Sequence, residues 1–453
     1  MSQGIVPMAS VAVSTRTEEP DGAPRIAGLD ILRGVAILAI LFMNINDMGG
    51  SLWMLFSGEI RHLGWTTADQ IAWFLREVLA NGTARCLLEM LFGAGMVILT
   101  DRIADGARRW SVLKRYYWRN LVLFAFGLIH MLVLLWPGDI LHTYALAAML
   151  AFLFRRLRPR GLLLVGLLMA GAQFIGGGYG YVDVRHRQAA MAEIGARQAA
   201  GQPLTSDDRR TLKAAAERRA DRAAREAASM ARIKAEDAAR GGSFATWARS
   251  AWDTIGALVG KGLELVFVWE AASTMLIGAA LVKLGIIQGH RPRRFYVVMM
   301  LIGYGCGLAA RAVGALDEMR FDDAASIIWP LGEFARLATT LGHVGLVYLL
   351  LGYGWGARLL RPFAAAGRTA LSLYVLQTLI CLWVLYPPQG FALYGRQGWA
   401  ALMLTALGIN AALLLLANWY VRRFRIAPVE WAWRSIVERR RLPFRRGAEA
   451  SPA

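Results

Sequence analysis

Charge is scarce in this sequence: Asp, Glu, Lys and Arg make up 18% of 453 residues, against 56% hydrophobic residues and a mean hydropathy of +0.40. So few charges cannot clothe a soluble protein of this size, which excludes an ordinary globular enzyme and calls for a lipid-facing surface. Cysteine is nearly absent as well. Cys86, Cys306 and Cys381 each fall inside an apolar run, so no disulfide framework is expected and the redox compartment is undetermined. The first 25 residues hold Pro, Gly and mixed charges without an apolar core. No cleavable signal is read there, and the first membrane helix is expected to act as an uncleaved anchor. Also missing are a Gly-x-Ser-x-Gly elbow, a phosphate loop and any His/Cys/Asp cluster with ligand spacing on one helix, so no metal is expected.

What the sequence has in quantity is apolar runs long enough for a bilayer, which needs roughly 20 residues per crossing. Spans are placed at 29–47, 84–101, 117–136, 139–155, 161–178, 262–285, 294–315, 334–354, 368–386 and 398–420. Lys and Arg alternate between the connections: five in 102–118, four in 155–160, three in 286–294, three in 355–368 and nine in 421–446. The intervening short connections hold at most one each, Arg61, Arg320 or Arg396. By the positive-inside rule this gives an all-α, polytopic transmembrane bundle of about ten spans with both ends in the cytoplasm. The net charge of +19 sits just outside the apolar runs, so membrane lipid is the expected partner and nucleic acid is not. Self-association into a homo-oligomer is left open.

Five regions follow: a disordered cytoplasmic tail 1–26, an N-terminal membrane half 27–182, an insertion 183–242, a C-terminal membrane half 243–420 and a basic amphipathic tail 421–453. The insertion falls on the extracytoplasmic side. Thr205-Ser206 as cap, an Ala-rich body and Gly241-Gly242 as a stop predict a helix of about three dozen residues. It is either a solvated cap or a substrate lid. Asp69 to Ala80 is too short and too charged to span and is expected to lie in the interface. The Arg- and Trp-bearing tail is expected to rest on anionic lipid.

Polar residues inside spans are costly in lipid and therefore mark the interior of the bundle. Arg33 and Asn44 are eleven residues apart, which on a helix places them on one face roughly 16 Å apart. Arg119 and His130 repeat the spacing. In both helices the Arg stands at the cytoplasmic end and the second polar group is deep. Arg85, Glu89, Glu270, Glu333, Arg336, His343 and Gln377 are expected in the middle or outer half, and Arg368 joins Arg33 and Arg119 near the inner mouth. This basic ring suits an anionic molecule such as an acyl-coenzyme A. The alternative for Arg33 and Arg119 is snorkelling to lipid phosphates, and for Arg85–Glu89 and Glu333–Arg336 simple internal pairing. His142 is read as interfacial, and His62 as able to fold back over the bundle.

The strings Leu29-Asp30-Ile31-Leu32-Arg33-Gly34 with Asn44, Leu91-Phe92-Gly93-Ala94-Gly95, Ile129-His130, Trp136-Pro137-Gly138-Asp139, Gly367-Arg368-Thr369 through Gln377 and Pro428-Val429-Glu430-Trp431 together resemble the YeiB-like family of bacterial inner-membrane proteins. The resemblance covers most of 27–435 and omits 183–242. That family is similar to the transmembrane acyltransferases, alongside those that modify cell-surface glycans and the lysosomal heparan glucosaminide acetyltransferase. In the glycan-modifying branch a His stands eleven residues after the Arg, where this chain has Asn44. The heparan branch supplies its His from the next connection in a His-x-x-Trp context, which His62 and Trp65 match. The resemblance implies acyl transfer from cytoplasmic acyl-CoA to an extracytoplasmic acceptor not identified by the sequence. Arg33, Arg119, Arg368 and Gln377 would bind the cofactor, His62 or His130 would be the base, Asn44 would orient it or stabilise an oxyanion, and Asp139 would fix a tautomer. The rival reading is a transporter or lipid-handling protein with a charge-lined path.

Overall fold

The computed structural model describes residues 27–104, 109–322 and 324–445, so the tail 1–26 and the last residues from 446 lie outside the described part. Helices succeed one another: α1 (Ala27–Gly49), α2 (Met54–Ser57), α3 (Thr67–Leu79), α4 (Thr83–Ala104), α5 (Arg109–Leu132), α6 (Leu141–Ala151), α7 (Pro159–Ala199), α8 (Ser206–Arg240), α9 (Phe244–Gly260), α10 (Leu263–Lys283), α11 (Arg293–Glu318), α12 (Ile328–Leu351), α13 (Gly354–Arg368), α14 (Ala370–Leu379), α15 (Trp399–Arg423) and α16 (Pro428–Val437). There is no strand among the described residues.

The protein is a helical polytopic bundle. Seven helices are long and apolar enough to cross a membrane, eight if the broken pair Gly354–Arg368 and Ala370–Leu385 counts as one span. Two further expected spans are helical but atypical. The first half of α5 carries Lys114, Arg115 and Arg119. Segment Leu141–Phe154 is about 21 Å long, short of the ~30 Å apolar layer.

Two glycine pairs set the inner packing. A Cβ on Gly34 would collide with Phe363 O and one on Gly367 with Asp30 O, so α1 and α13 touch backbone to backbone. Gly93 and Gly278 do the same for α4 and α10, against Met275 O and Met90 O. Small residues at the contact let helices approach closely, where dispersion and interhelical hydrogen bonds replace the hydrophobic drive that lipid cannot supply. Around α1, side chains reach its backbone carbonyls: Gln377 Nε2 to Ile37 O (3.1 Å), Asn410 Nδ2 to Leu38 O (2.9 Å) and Arg76 to Phe42 O and Met43 O (both 3.3 Å).

Three boundaries differ from the sequence expectation. The fifth span does not end near 178 but runs on as one helix to Ala199, because 183–199 is rich in good helix formers and holds no Pro. The insertion is therefore a helical hairpin, with α8 opened by a Thr205/Asp208 capping box. The basic connection 355–368 is itself a helix, α13, which meets α14 at a 78° bend, after which Ile380–Leu385 continues in π-helical form. The expected cap is also more firmly tied than a solvated lid would be. Arg240, at the end of α8, donates to Asp47 O (3.2 Å), Met48 O (2.6 Å) and Gly50 O (2.7 Å), closing the C-terminus of α1. Its guanidinium also lies over the Trp247 and Tyr394 rings, at 4.6 and 4.3 Å.

Candidate active site

The α5–α6 turn assembles the most concentrated titratable cluster. α5 ends just past His130, Leu135 turns the chain through a left-handed φ of 59°, and Asp139 comes back beside the imidazole. Gly127 permits the approach, since a Cβ there would run into His142 N. Asp139 caps the start of α6 by accepting from His142 N at 3.0 Å. Its two oxygens then take two imidazoles: Oδ1 lies 2.7 Å from His130 Nδ1 and Oδ2 lies 2.8 Å from His142 Nδ1.

The network extends at both ends. His130 Nε2 stands 2.9 Å from Thr378 Oγ1 on α14, and Tyr374 lies against the ring at 4.8 Å between centroids. His142 Nε2 stands 3.1 Å from Glu264 Oε2, while Thr143 Oγ1 donates to Glu264 Oε1 at 2.8 Å. Exposure grades along the chain: the Thr378, Asp139 and His130 side chains are buried, that of His142 is 10% exposed and that of Glu264 28%. A carboxylate only accepts, so both imidazoles donate from Nδ1 to Asp139. At Nε2, His130 meets the Thr378 hydroxyl, a group that can either donate or accept. His142 stands between two carboxylates, each ring nitrogen within hydrogen-bond distance of one of them. Among the described residues no group of three or more His, Cys, Asp or Glu is arranged to hold a metal ion.

The predicted arginines gather at the opposite end of the bundle. The Gly34–Gly367 contact sets Arg33 and Arg368 on neighbouring backbones. Arg33 pairs with Asp30 at 3.0 Å, and Arg119 lies 4.3 Å from the centre of the Trp433 ring on α16. From the same helix, Glu430 reaches the start of α14: its carboxylate accepts from Leu371 N (2.7 Å) and Ser372 N (3.2 Å) and bonds the Ser372 hydroxyl. The positive end of α14 is thus occupied by the protein's own carboxylate, and burial raises the Glu430 carboxyl above the ordinary glutamate range. Gln377 does not join this ring. It is buried deeper, between α1 and Asn410.

Asn44 and His62 are not part of the His130 network. Asn44 is half-buried on α1, and its amide makes no hydrogen bond among the described residues. His62 folds back as expected, but onto α8, with Nε2 2.8 Å from Asp237 Oδ2; Tyr394 donates to the other Asp237 oxygen at 2.7 Å. The two internal pairs expected from spacing are joined into one buried network across α4, α10 and α12. Arg336 reaches Glu333 (2.7 Å), Glu89 (3.1 Å), Glu270 (3.1 Å) and Thr274 (3.0 Å), and Arg85 binds Glu270 and Glu89. His343 pairs with Tyr304 at 2.9 Å.

Sequence reasoning missed Thr378, Glu264 and Glu430 and gave His142 only an interfacial role. The i, i+3 spacing of Asp139 and His142 was the one signal available.

Comparison with known proteins agrees with the sequence resemblance. Residues 281–440 match the family described as "Protein of unknown function (DUF418)". The "Uncharacterized protein YxaH" of Bacillus subtilis (strain 168) is 26% identical over 420 residues, 91% of this chain and 94% of the relative. The "Uncharacterized protein YeiB" of Escherichia coli (strain K12) is 28% identical over 422 residues, 91% of this chain and 96% of the relative. A shorter similarity, 29% over 101 residues (22% of this chain, 28% of the relative), links it to the "Uncharacterized 39.9 kDa protein in amylase 3'region" of Bacillus acidopullulyticus. None of these descriptions names an activity. With the C-terminal match and two relatives similar nearly end to end, the chain is similar to the YeiB-like family, and it is itself a helical polytopic bundle.

Proposed function

We propose that the protein is an acyltransferase of the bacterial inner membrane that moves an acyl group from cytoplasmic acyl-CoA to a hydroxyl or amine acceptor on the far side. The observation that carries this reading is His130, fixed by Asp139 at Nδ1 and presenting Nε2 to a hydroxyl at 2.9 Å. That is the geometry a general base needs to take a proton from an attacking hydroxyl. Thr378 marks where the acceptor oxygen would stand. The acceptor O–H proton passes to His130 Nε2 as its oxygen attacks the thioester carbonyl, the C–S bond breaks, and the CoA thiolate takes the proton from His130. The Asn44 amide, which makes no hydrogen bond among the described residues and lies outside the His130 network, is assigned to the oxyanion by the family resemblance alone. Arg33, Arg119 and Arg368 would hold the cofactor's phosphates at the basic end. The base is assigned to His130 and not to His62, whose ring is tied to Asp237.

Purified protein in nanodiscs should bind acyl-CoA by calorimetry, and His130→Ala or Asn44→Ala should lower acylation of cell-surface glycan or lipid. Absence of binding together with unchanged acylation in both variants would overturn the proposal. A second reading, a proton-coupled transporter, draws on the 78° break between α13 and α14 and on the buried Arg336 network. Counterflow of radiolabelled solute in proteoliposomes separates the two, because an enzyme consumes donor without net solute movement.

A further inference from the structure

On the face of the bundle opposite the basic loops, α2, α8 and α9 enclose a cleft of about 430 Å³. Trp53 forms part of its wall. Arg232 from α8 lies 5.5 Å and Lys261 4.9 Å from the centre of the Trp53 ring, and Arg249 from α9 lines the same space. None of these three cations forms an ion pair among the described residues. Two acids also line the cleft. The Glu236 carboxylate is committed elsewhere, to Ser51 and to Arg240 at 3.3 Å. Asp253, one helical turn beyond Arg249, is exposed and unpaired among the described residues. Three cations without an ion-pair partner therefore face one carboxylate without one.

The cleft also stands at the edge of the apolar layer. Lys261 and Gly262 directly precede the spanning helix α10, and Val259, Leu265 and Val266 beside them are exposed as lipid-facing residues are. Unpaired guanidinium and ammonium groups around an aromatic wall select a phosphate, and a lone carboxylate among them accepts hydrogen bonds from hydroxyl groups. We infer that this cleft binds a phosphate ester carrying adjacent hydroxyls, as in a phosphoglycerol headgroup. Binding there is independent of the acyl-transfer reading.

The test measures retention of phosphatidylglycerol and phosphatidylcholine by the full-length protein, using native mass spectrometry and thermal shift, with glycerol 1-phosphate as the soluble probe. The wild type should prefer phosphatidylglycerol. Arg249→Gln/Lys261→Gln should weaken it about tenfold or more, since each charge-assisted bond to phosphate is worth about a decade in affinity. Arg218→Gln/Arg219→Gln removes the same charge from exposed positions of α8 outside the cleft and should leave binding unchanged. Competition by glycerol 1-phosphate assigns the site to the free ester, and binding of the lipid alone assigns it to the headgroup in the membrane. The inference is overturned if the cleft variant binds as the wild type does, if both double variants lose binding equally, or if phosphatidylcholine binds equally well. Arg232→Gln alone should show the same direction of change, and all variants should keep the wild-type melting temperature without lipid.

Discussion

Replacing Asp139 by Asn keeps the volume of a fully buried side chain and removes its charge. The carboxylate accepts from His130 Nδ1, His142 Nδ1, His142 N and, at 3.5 Å, the Tyr374 hydroxyl. Asn retains one acceptor oxygen, so at least one imidazole would face an NH2 group and lose its partner. A hydrogen bond to a charged group is worth about 1.5–3 kcal/mol, and breaking a buried charged pair from one side costs about 3–5 kcal/mol. Asp139→Asn is therefore expected to destabilise the protein by about 3 kcal/mol, read by denaturant unfolding in detergent. Combined with His130→Ala in a double-mutant cycle, it should show a coupling of about 1.5–3 kcal/mol. Additivity of the two changes within about 0.5 kcal/mol would refute the geometry on which the site is built.

Arg336→Met leaves the three carboxylates of Glu89, Glu270 and Glu333 against Arg85 alone, and a loss of about 3–5 kcal/mol is expected in the same unfolding assay. Gly367→Ala should destabilise by about 1–3 kcal/mol by forcing α13 from Asp30 O, whereas Gly305→Ala, with open space at its Cβ, should not destabilise the protein. Because burial raises the Glu430 carboxyl pKa, between the ordinary glutamate range and the raised value the folded form keeps a proton that the unfolded form has released, and above it the group is the carboxylate. Docking of α16 should weaken as pH climbs from the ordinary glutamate range through the raised value. Hydrogen exchange of 428–437 should rise over that window, and Glu430→Gln should abolish the pH dependence.

The helices of the bundle were legible because lipid imposes its own length and polarity rule, and α8 because Thr205 and Gly241 punctuate an Ala-rich run. Other features carried no local mark. A helix continuing past the apolar layer, as α7 does to Ala199, looks in sequence like a loop insertion. The amphipathic α13 looks like a basic connection until Gly34 and Gly367 are seen in contact. Within the site, Asp139 was placed beside a histidine by chain proximity to His130 and His142. Glu264, 122 residues from its partner His142, and Thr378, 248 from His130, meet them only through helix packing. Asn44 is linked to His130 by depth and by the family resemblance, and His62 by its His-x-x-Trp string; neither kind of signal says which face of which helix a side chain shares.

If His130, held by Asp139, removes the acceptor proton during acyl transfer, the step is read in single-turnover transfer of a labelled acyl group from acyl-CoA by wild type and His130→Gln in nanodiscs. The expected result is that the variant binds acyl-CoA as tightly as the wild type while transfer slows by about 10²–10⁴-fold. Equal rates in the two proteins would contradict it.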